Sequence, residues 1–350
     1  MKKNIPQNTS YFKEIELILQ GIQITSNTSF SINDQIVNVL NQNKRRFKDE
    51  DDKLNRETLC RSLAQHLYQI VHCRQASIGQ DISSYDSISK GINDHRIFVD
   101  ILSQSNNGTG TWEPGWIICK LENNGMIAVK KNGLTLWVRS YQLRVRGSNQ
   151  PRIGDMVYIA MVKEFRELLP GFYMANGNAA MKEESFIVRL YWNISSEGAP
   201  AIMNSLTTEL NKDDIPFKFK ILKNESNYLR ADAAVLYLDK HDLHKVSYSL
   251  SQIYKKIKRY MRPPVPLFAK RLANGISLAE DPANGESFGQ NRTNLLAKAI
   301  YLLRNVSIIE EKLKNVQEYF EINNIDFNRP YLRNLNSKDE YDEMLNGTFR

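Results

Sequence analysis

The chain has 350 residues, 41% of them hydrophobic and 25% charged, which is enough for a globular protein with more than one domain. Its net charge of +8 suits an anionic partner but does not choose among a phosphopeptide, a nucleic acid and a membrane surface. The sequence has no bilayer-length apolar run, no signal-peptide core and no disulfide-framework spacing, so we expect a cytoplasmic protein without a membrane partner.

Residues 1–111 are predicted to form a mostly helical N-terminal region. Apolar residues recur at helical spacing in two stretches, 12–22 and 59–70. The charged stretch between them, 41–57, is predicted to be a solvated loop. His66 and His72 lie in the second helix, where a surface or boundary position is favoured over a role as metal ligands.

A small antiparallel β-unit is predicted for residues 112–178. Short hydrophobic runs there are separated by Asn-Asn-Gly at 123–125 and Lys-Asn-Gly at 131–133, which are typical hairpin turns. The run "GFYMANG" at 171–177 is assigned to the same unit. The polar, turn-rich stretch 81–95 precedes it.

Residues 185–335 are predicted to form an α/β domain with a sheet flanked by helices, and residues 336–350 a polar tail. Strand-like and helix-like stretches alternate in this order: 185–194, 199–212, 216–222, 231–239 and 241–261. Two more helices are predicted near 291–303 and 307–323. The fold class is therefore α+β.

Polar residues alternate with apolar ones in the three predicted strands and should lie on one face of the sheet. The residues on this face are Arg189, Tyr191, Asn193, Lys218, Lys220, Val235 and Tyr237. Arginine, lysine and tyrosine supply the charge and the directional donors that a phosphorylated ligand needs. We predict adjacent strands that present Arg189 and Lys220 on the same face, with Arg230 just before the third strand.

The turn-rich acidic stretch 278–291 directly precedes Arg292, which is predicted to start a helix. An arginine at this position is unfavourable for the helix dipole, but it becomes favourable if an anion binds there. The alternative is that Arg292 pairs with Glu280, Asp281 or Glu286.

Standard catalytic motifs are absent from the sequence, which has no GxSxG, P-loop, HExxH or kinase signature. The basic run 255–262 is interpreted as the solvated face of a helix, because no RNA-binding motif accompanies it, so no nucleic-acid partner is expected. Cys60, Cys73 and Cys119 lack the spacing of metal ligands, and no metal site is predicted.

Several strings resemble the HopA class of type III effector proteins. The most specific is "LAEDPANGESFGQNR" at 278–292, and "RADAAVLYL", "DFNRPYLRN" and "WEPGW" fit the same class. The sequence is most similar to stand-alone bacterial members found in peptide-modification gene clusters. The resemblance covers about residues 55–335.

The resemblance implies a C-terminal domain like that of phosphothreonine lyases. Members in class V lanthipeptide and thioamitide pathways are thought to eliminate phosphate from phosphorylated Ser or Thr of a ribosomally made precursor peptide, giving dehydroalanine or dehydrobutyrine. A separate kinase would add the phosphate, and the reaction requires no cofactor. The implied site has Lys220 as base, Tyr191 and Tyr237 as further catalytic residues, and these phosphate ligands: Arg189, Arg230, Arg292 and Lys218.

One departure from the lyase pattern concerns the general acid. The pattern has a histidine on the strand before the base strand, where this chain has Arg189 and Tyr191, and Asn291 stands where many members have another histidine. A tyrosine could donate the proton, phosphate could leave as an anion neutralised by arginine, or activity could be lost. Two alternatives therefore stay open: a non-catalytic phosphopeptide- or kinase-binding partner, and an effector that acts on a host protein.

Overall fold

The computed structural model describes residues 8–39, 48–75, 92–145 and 150–350. The α-helices in these ranges are α1 (Asn8–Gln20), α2 (Lys48–Leu67), α3 (Ile92–Ser105), α4 (Ala199–Lys212), α5 (Leu243–Ile257), α6 (Phe288–Leu302), α7 (Ile309–Ile322) and α8 (Tyr341–Met344). A π-helical turn, Tyr68–His72, continues α2.

The strands of the described ranges form three sheets in which every pairing is antiparallel. The N-terminal sheet contains β1 (Ile22–Ser26), β2 (Ser29–Ile32) and β3 (Gln35–Asn38). The second sheet contains β4 (Thr111–Leu121), β5 (Met126–Lys131), β6 (Leu134–Arg139), β7 (Leu143–Val145) and β8 (Met156–Met161). The large sheet contains β9 (Glu164–Leu169), β10 (Phe172–Asn176), β11 (Ile187–Trp192), β12 (Lys218–Leu222), β13 (Ala234–Asp239), β14 (Lys270–Ala273) and β15 (Ile276–Glu280). The α+β class is confirmed.

A three-stranded sheet follows α1, in the region that is predicted to be mostly helical. α1 ends at Gln20, and Ile22 begins β1 instead of extending the helix. Asn33 and Asp34 have positive φ angles of 46° and 66°, the conformation of a two-residue hairpin turn between β2 and β3. The short alternation in "GIQI" is a strand pattern, but Ile22 also continues the helical spacing of α1, so the local pattern does not separate the two.

Two stretches predicted to be loops contain the starts of helices. α2 begins at Lys48, inside the charged stretch 41–57, and α3 begins at Ile92, inside the turn-rich stretch 81–95. The earlier parts of both stretches lie outside the described residues. A high content of charged and polar residues is compatible with an exposed helical face, so composition alone did not separate helix from loop.

The second sheet has the order β6-β5-β4-β8-β7 and contains the predicted hairpins. Asn132 and Gly133 have φ angles of 48° and 81°, as expected for the turn signal between β5 and β6. Ser140–Gln142 alone join β6 to β7, although these strands stand at opposite ends of the sheet. Four Cα steps span at most about 14 Å, whereas five flat strands would separate the outer two by about 19 Å. The sheet therefore curls around its apolar inner face.

The strand in "GFYMANG" does not belong to this second sheet. It is β10, which pairs with β12 and with β9 in the large sheet, where Met174 lies opposite Lys220. Alternation along a strand predicts that it is a strand but does not predict its partner. This pairing is important for the site because it brings Phe172 next to Lys220.

The large sheet has the order β14-β15-β11-β13-β12-β10-β9 and is flanked by helices, as predicted. One of its faces packs against α3, α4, α5 and α8. The opposite face packs against α1, α2, α6 and α7 near β11, β13 and β15. The inner positions of β11 alternate between the two cores: Leu190 and Trp192 belong to the first and Tyr191 to the second.

The segment predicted to be a polar tail packs against the large sheet. Tyr341 is buried, and its hydroxyl donates to Oε1 of Glu280 at 2.6 Å. The Phe349 ring lies 6.1 Å from Trp192 and 5.7 Å from Tyr254, between ring centroids. The last residues therefore contribute to the core beside α5.

Candidate functional site

The polar side chains of the central strands do share one face of the large sheet. Arg189 on β11 and Lys218 on β12 both lie opposite Tyr237 on β13, while Tyr191 and Lys220 both lie opposite Val235. Side chains directly opposite each other point to the same side of a sheet. The prediction of a shared face is confirmed, but β13 lies between β11 and β12, so the prediction that these two strands are adjacent is wrong.

Lys220 lies at the centre of this face, above aromatic rings. Its Nζ is 4.6 Å from the Phe172 ring centroid and 6.0 Å from that of Tyr237. Among the described residues, no carboxylate lies within ion-pair distance of this ammonium group. Lys220 is half-buried, so part of this residue is exposed to solvent. Lys218, two residues earlier, is exposed and faces the same way.

Arg189 is buried on β11 and is held by the acidic loop that follows β15. Its Nε donates to Oδ2 of Asp281 at 2.8 Å, and its Nη2 donates to the same oxygen. Its guanidinium carbon lies 5.4 Å from the Tyr237 ring centroid. Asp281 therefore orients Arg189, and Tyr237 lies between Arg189 and Lys220.

Arg230 forms a bidentate ion pair with Asp232 just before β13. The two hydrogen bonds are 2.6 Å from Nε to Oδ1 and 2.7 Å from Nη2 to Oδ2. Burial raises the pKa of the Asp232 carboxyl, but Arg230 outweighs this effect and holds the pKa well below its usual range. The Arg230 guanidinium carbon lies 5.8 Å from the Phe172 ring centroid, so Arg230 and Lys220 flank the same ring.

The π-helical turn after α2 completes the buried side of this cluster. The backbone N–H of Ala231 donates to the carbonyl of Cys73 at 2.7 Å, which fixes the turn next to Asp232. The Tyr68 hydroxyl donates to Oδ2 of Asp232 at 3.2 Å, and His72 Nε2 lies 3.6 Å from the same oxygen. Single π-helical turns of this kind are frequent at functional sites.

His72 is 4% exposed, so its predicted surface or boundary position is wrong. Its ring lies 4.8 Å from Tyr68 and 5.1 Å from Tyr191, measured between centroids. Burial lowers the pKa of the imidazole to about 4, and Asp232 opposes this shift only in part. His72 is therefore neutral at pH 7 and buried beneath the polar face. No local pattern predicts this, because Asp232 is far away in the sequence.

Tyr191 and Tyr237 have different environments although both belong to the polar face. Tyr191 is buried, and burial raises the pKa of its hydroxyl above the usual range. Within the described part of the chain, this hydroxyl has no hydrogen-bond partner of good geometry. Tyr237 is half-buried and lies between two cations. Of the two tyrosines, Tyr237 is the one that a ligand can reach.

Arg292 does not open its helix, which begins at Phe288 after a capping box between Ser287 and Gln290. Arg292 is 0% exposed, and its guanidinium donates to the backbone carbonyls of Pro330 at 2.7 Å and Leu332 at 2.6 Å. Burial lowers its pKa to about 10. Arg292 therefore neither lies at a helix start, where it was predicted to bind an anion, nor pairs with a carboxylate of the acidic loop.

The carboxylates at the end of β15 and in the acidic loop after it bind other segments of the chain. Glu280 is fully buried and accepts hydrogen bonds from the Lys240 ammonium at 3.1 Å and from the backbone N–H of Arg333 at 2.6 Å. Glu286 accepts from the side-chain amides of Asn291 and Asn294 at 2.7 and 2.9 Å. The string that carries the family resemblance thus positions Arg189 and anchors the C-terminal segment.

The described residues contain no group of three or more His, Cys, Asp and Glu side chains arranged to hold a metal ion. Within the same ranges, no helix is both long and apolar enough to cross a membrane.

Comparison with known proteins finds similarity to bacterial effector proteins. Two solved structures are similar: the effector proteins from Pseudomonas syringae pv. tomato strain DC3000 and from Pseudomonas syringae pv. syringae strain 61. The first is 15% identical with a TM-score of 0.42 and covers 79% of this chain and 99% of its own. The second is 14% identical with a TM-score of 0.43, and the match covers 79% of this chain and 97% of the effector. No curated protein matches. Residues 165–332 match the HopA1 effector protein family, and they include the whole polar face.

Proposed function

We propose that the protein is a lyase that eliminates phosphate from phosphoserine or phosphothreonine in a peptide. The observation that carries this proposal is the position of Lys220. This half-buried lysine lies on the same face as Arg189, and its amine is beside the Phe172 ring that Arg230 also contacts. A lysine between two arginines supplies a base next to groups that attract phosphate.

The reaction needs a base and stabilisation of negative charge. Neutral Lys220 would take the Cα proton, the electron pair would form the Cα–Cβ double bond, and the Cβ–O bond to phosphate would break. Charge develops on the carbonyl oxygen next to Cα and on the departing phosphate. The products are dehydroalanine or dehydrobutyrine and inorganic phosphate.

The two arginines retain donors for a phosphate group although each already binds a carboxylate. A guanidinium has five N–H donors, and both Arg189 and Arg230 use Nε and Nη2 for their carboxylates. Arg230 uses only Nε and Nη2 for Asp232, while Arg189 also interacts with the Tyr191 hydroxyl, so each still has N–H donors left for a phosphate. Lys218 extends the positive charge toward solvent. Arg292 is left out, because a phosphate would have to displace two backbone carbonyls to reach it.

Tyr237 is our candidate for the proton donor to the leaving phosphate. It lies between Arg189 and Lys220 and is half-buried, whereas Tyr191 and His72 are closed off from solvent. If phosphate leaves as an anion neutralised by the arginines, Tyr237 contributes only binding. In either case the peptide would come from a ribosomally made precursor, phosphorylated by a separate kinase.

A second candidate is a protein that binds the phosphorylated peptide without turnover. The sealed position of His72 favours it, because none of the described histidines lies on the accessible part of the polar face to act as general acid. The match to an effector family is also compatible with action on a host protein. The experiment below distinguishes elimination from binding.

The test uses phosphothreonine and phosphoserine peptides with the full chain, and follows peptide mass and free phosphate. Elimination removes one phosphoric acid from the phosphopeptide, whereas hydrolysis restores the hydroxyl. Lys220→Ala and Lys220→Arg should both lose a factor of about 100 to 10,000 in rate, because neither has the amine base. Lys220→Arg keeps the positive charge and should still bind the peptide. Lys218→Ala is the matched control and should retain most of the rate.

Two results would contradict the lyase proposal. If Lys220→Ala eliminates phosphate as fast as the parent protein while folded, Lys220 is not the base. If the parent binds phosphopeptides without any change of mass, the binding function replaces the lyase.

A further inference from the structure

The curled sheet of β4–β8 exposes an apolar surface that the proposed reaction does not use. The inner face of this sheet is a buried core, so its outer face should carry polar side chains. Instead, Trp137, Ile117, Met156 and Tyr158 are exposed by 57%, 46%, 66% and 39%. We call these four residues the outer apolar face.

The strand register places these side chains on one side of the sheet, with Ile117 and Met156 as direct neighbours and Tyr158 two residues along β8. Ile117 on β4 lies opposite Met156 on β8 and opposite Lys130 on β5. Trp137 on β6 lies opposite Ala128, which is two residues from Lys130 and therefore on the same side. Neighbouring side chains on one face lie about 5 Å apart across strands. A single exposed apolar residue is ordinary, but exposed apolar neighbours such as Ile117, Met156 and Tyr158 form a patch of the kind that marks interaction sites. Trp137 lies beyond Lys130, at the edge of this patch.

Positive charges border this patch. Lys130 and Arg139 are exposed, and no described carboxylate lies within ion-pair distance of either. The Glu122 carboxylate is already bound by the Lys120 ammonium at 2.9 Å. The hydrogen bonds from Lys120 and from the Trp137 indole lower the pKa of this carboxyl. The border of the outer apolar face therefore has an excess of positive charge.

We propose that the outer apolar face binds a partner protein through a segment in which acidic residues are interspersed with large apolar ones. Apolar partners would cover Ile117 and Met156, and carboxylates would pair with Lys130 and Arg139. The adjacent aliphatic side chains of Ile117 and Met156 favour a protein segment. The exposed rings of Trp137 and Tyr158 would also accept a nucleic-acid base, so single-stranded DNA is one arm of the experiment below. The indole of Trp112 on β4 is already covered by Arg144, with the guanidinium carbon 3.7 Å from the ring centroid.

The experiment measures fluorescence anisotropy of three dye-labelled peptides mixed with the full-length protein: alternating Leu-Glu, alternating Leu-Lys and alternating Ser-Glu. The Leu-Glu peptide should bind saturably, and the other two at least about tenfold more weakly. The double variant Ile117→Ser with Met156→Ser should weaken Leu-Glu binding by about tenfold or more, and so should Lys130→Glu. Tyr248→Ser removes an exposed aromatic ring from α5 and is the matched control, with unchanged binding. Near-UV circular dichroism checks that each variant is folded.

Several results would overturn this proposal. They are absence of saturable Leu-Glu binding, equal binding of the Leu-Lys peptide, and binding that the double variant does not weaken. Single-stranded DNA that binds more tightly at the same residues would assign the face to nucleic acid instead. A dimer of the protein alone that dissociates in the double variant would assign it to a second copy. Lys220→Ala should leave binding of the Leu-Glu peptide to the outer apolar face unchanged. Failure of the lyase proposal and failure of this binding proposal therefore give different results.

Discussion

His72→Gln should remove most of the acid sensitivity of folding contributed by the cluster around Asp232. His72 is buried beside Tyr68 and Tyr191, and its pKa in the folded protein is about 4, compared with 6.5 in an unfolded chain. Between these values the unfolded state binds a proton that the folded state does not. Stability from the neutral imidazole is therefore fully present above about pH 6.5 and decreases as the pH falls toward 4.

The expected magnitude follows from the pKa difference. The pKa of His72 is 6.5 in the unfolded state and about 4 in the folded state, so about 1.5 units of this interval lie between pH 6.5 and pH 5. Each unit corresponds to about 1.4 kcal/mol. The parent protein should thus lose about 2 kcal/mol of unfolding free energy through His72 between about pH 7 and pH 5. Its neighbours do not titrate in this window. The pKa of Asp232 lies far below it, while burial raises those of Tyr68 and Cys73.

The measurement is urea unfolding at pH 7 and pH 5 for the parent protein, His72→Gln and His66→Gln. His66 lies on α2 and is half-buried, so it is the matched control and should keep the pH dependence of the parent. His72→Gln should be less stable than the parent at pH 7 but should lose about 2 kcal/mol less on acidification. An equal loss in His72→Gln and the parent would show that another group titrates and that the argument from burial is wrong.

Three further substitutions test the buried network. Gly289→Ala would place Cβ 2.6 Å from ring atoms of His72 and Tyr68, and should cost about 1–3 kcal/mol of unfolding free energy, whereas unchanged urea unfolding would contradict this packing. Arg230→Met leaves Asp232 buried without its cation and should lower the unfolding free energy by about 3–5 kcal/mol at pH 7. Adding Asp232→Asn removes the unpaired charge and should restore part of this loss. Arg292→Met leaves two buried carbonyls unpaired and should lower the unfolding free energy by about 1–3 kcal/mol for each. A calorimetric melting temperature like that of the parent protein would refute the structural role of Arg292.

Part of the candidate site could be predicted because strand alternation is local. Arg189 and Lys220 share a face because the apolar positions that alternate with them on β11 and β12 pack in the same core, whichever strand lies between them. The position of β13 between β11 and β12 could not be predicted, because strand order depends on contacts between distant segments. The same is true of β10, which supplies Phe172 beneath Lys220.

The buried side of the site was missed for a related reason. Asp232 follows Arg230 by two residues and precedes an apolar strand, and a carboxylate expected to be buried must have a partner. That signal could have predicted the Arg230–Asp232 pair. It could not have predicted His72, which reaches Asp232 only through the π-helical turn after α2.

The α+β class, most helices and strands of the C-terminal half, and the face on which Lys220 lies can be predicted from the sequence, because periodicity and turn residues act over a few positions. The role of each charged group depends on the three-dimensional packing. Arg189 and Arg292 are both arginines near the same acidic loop, yet one borders the accessible face and the other is fully buried against backbone carbonyls. Burial and hydrogen-bond partners separate these roles, and both arise from chain segments that are far apart in sequence.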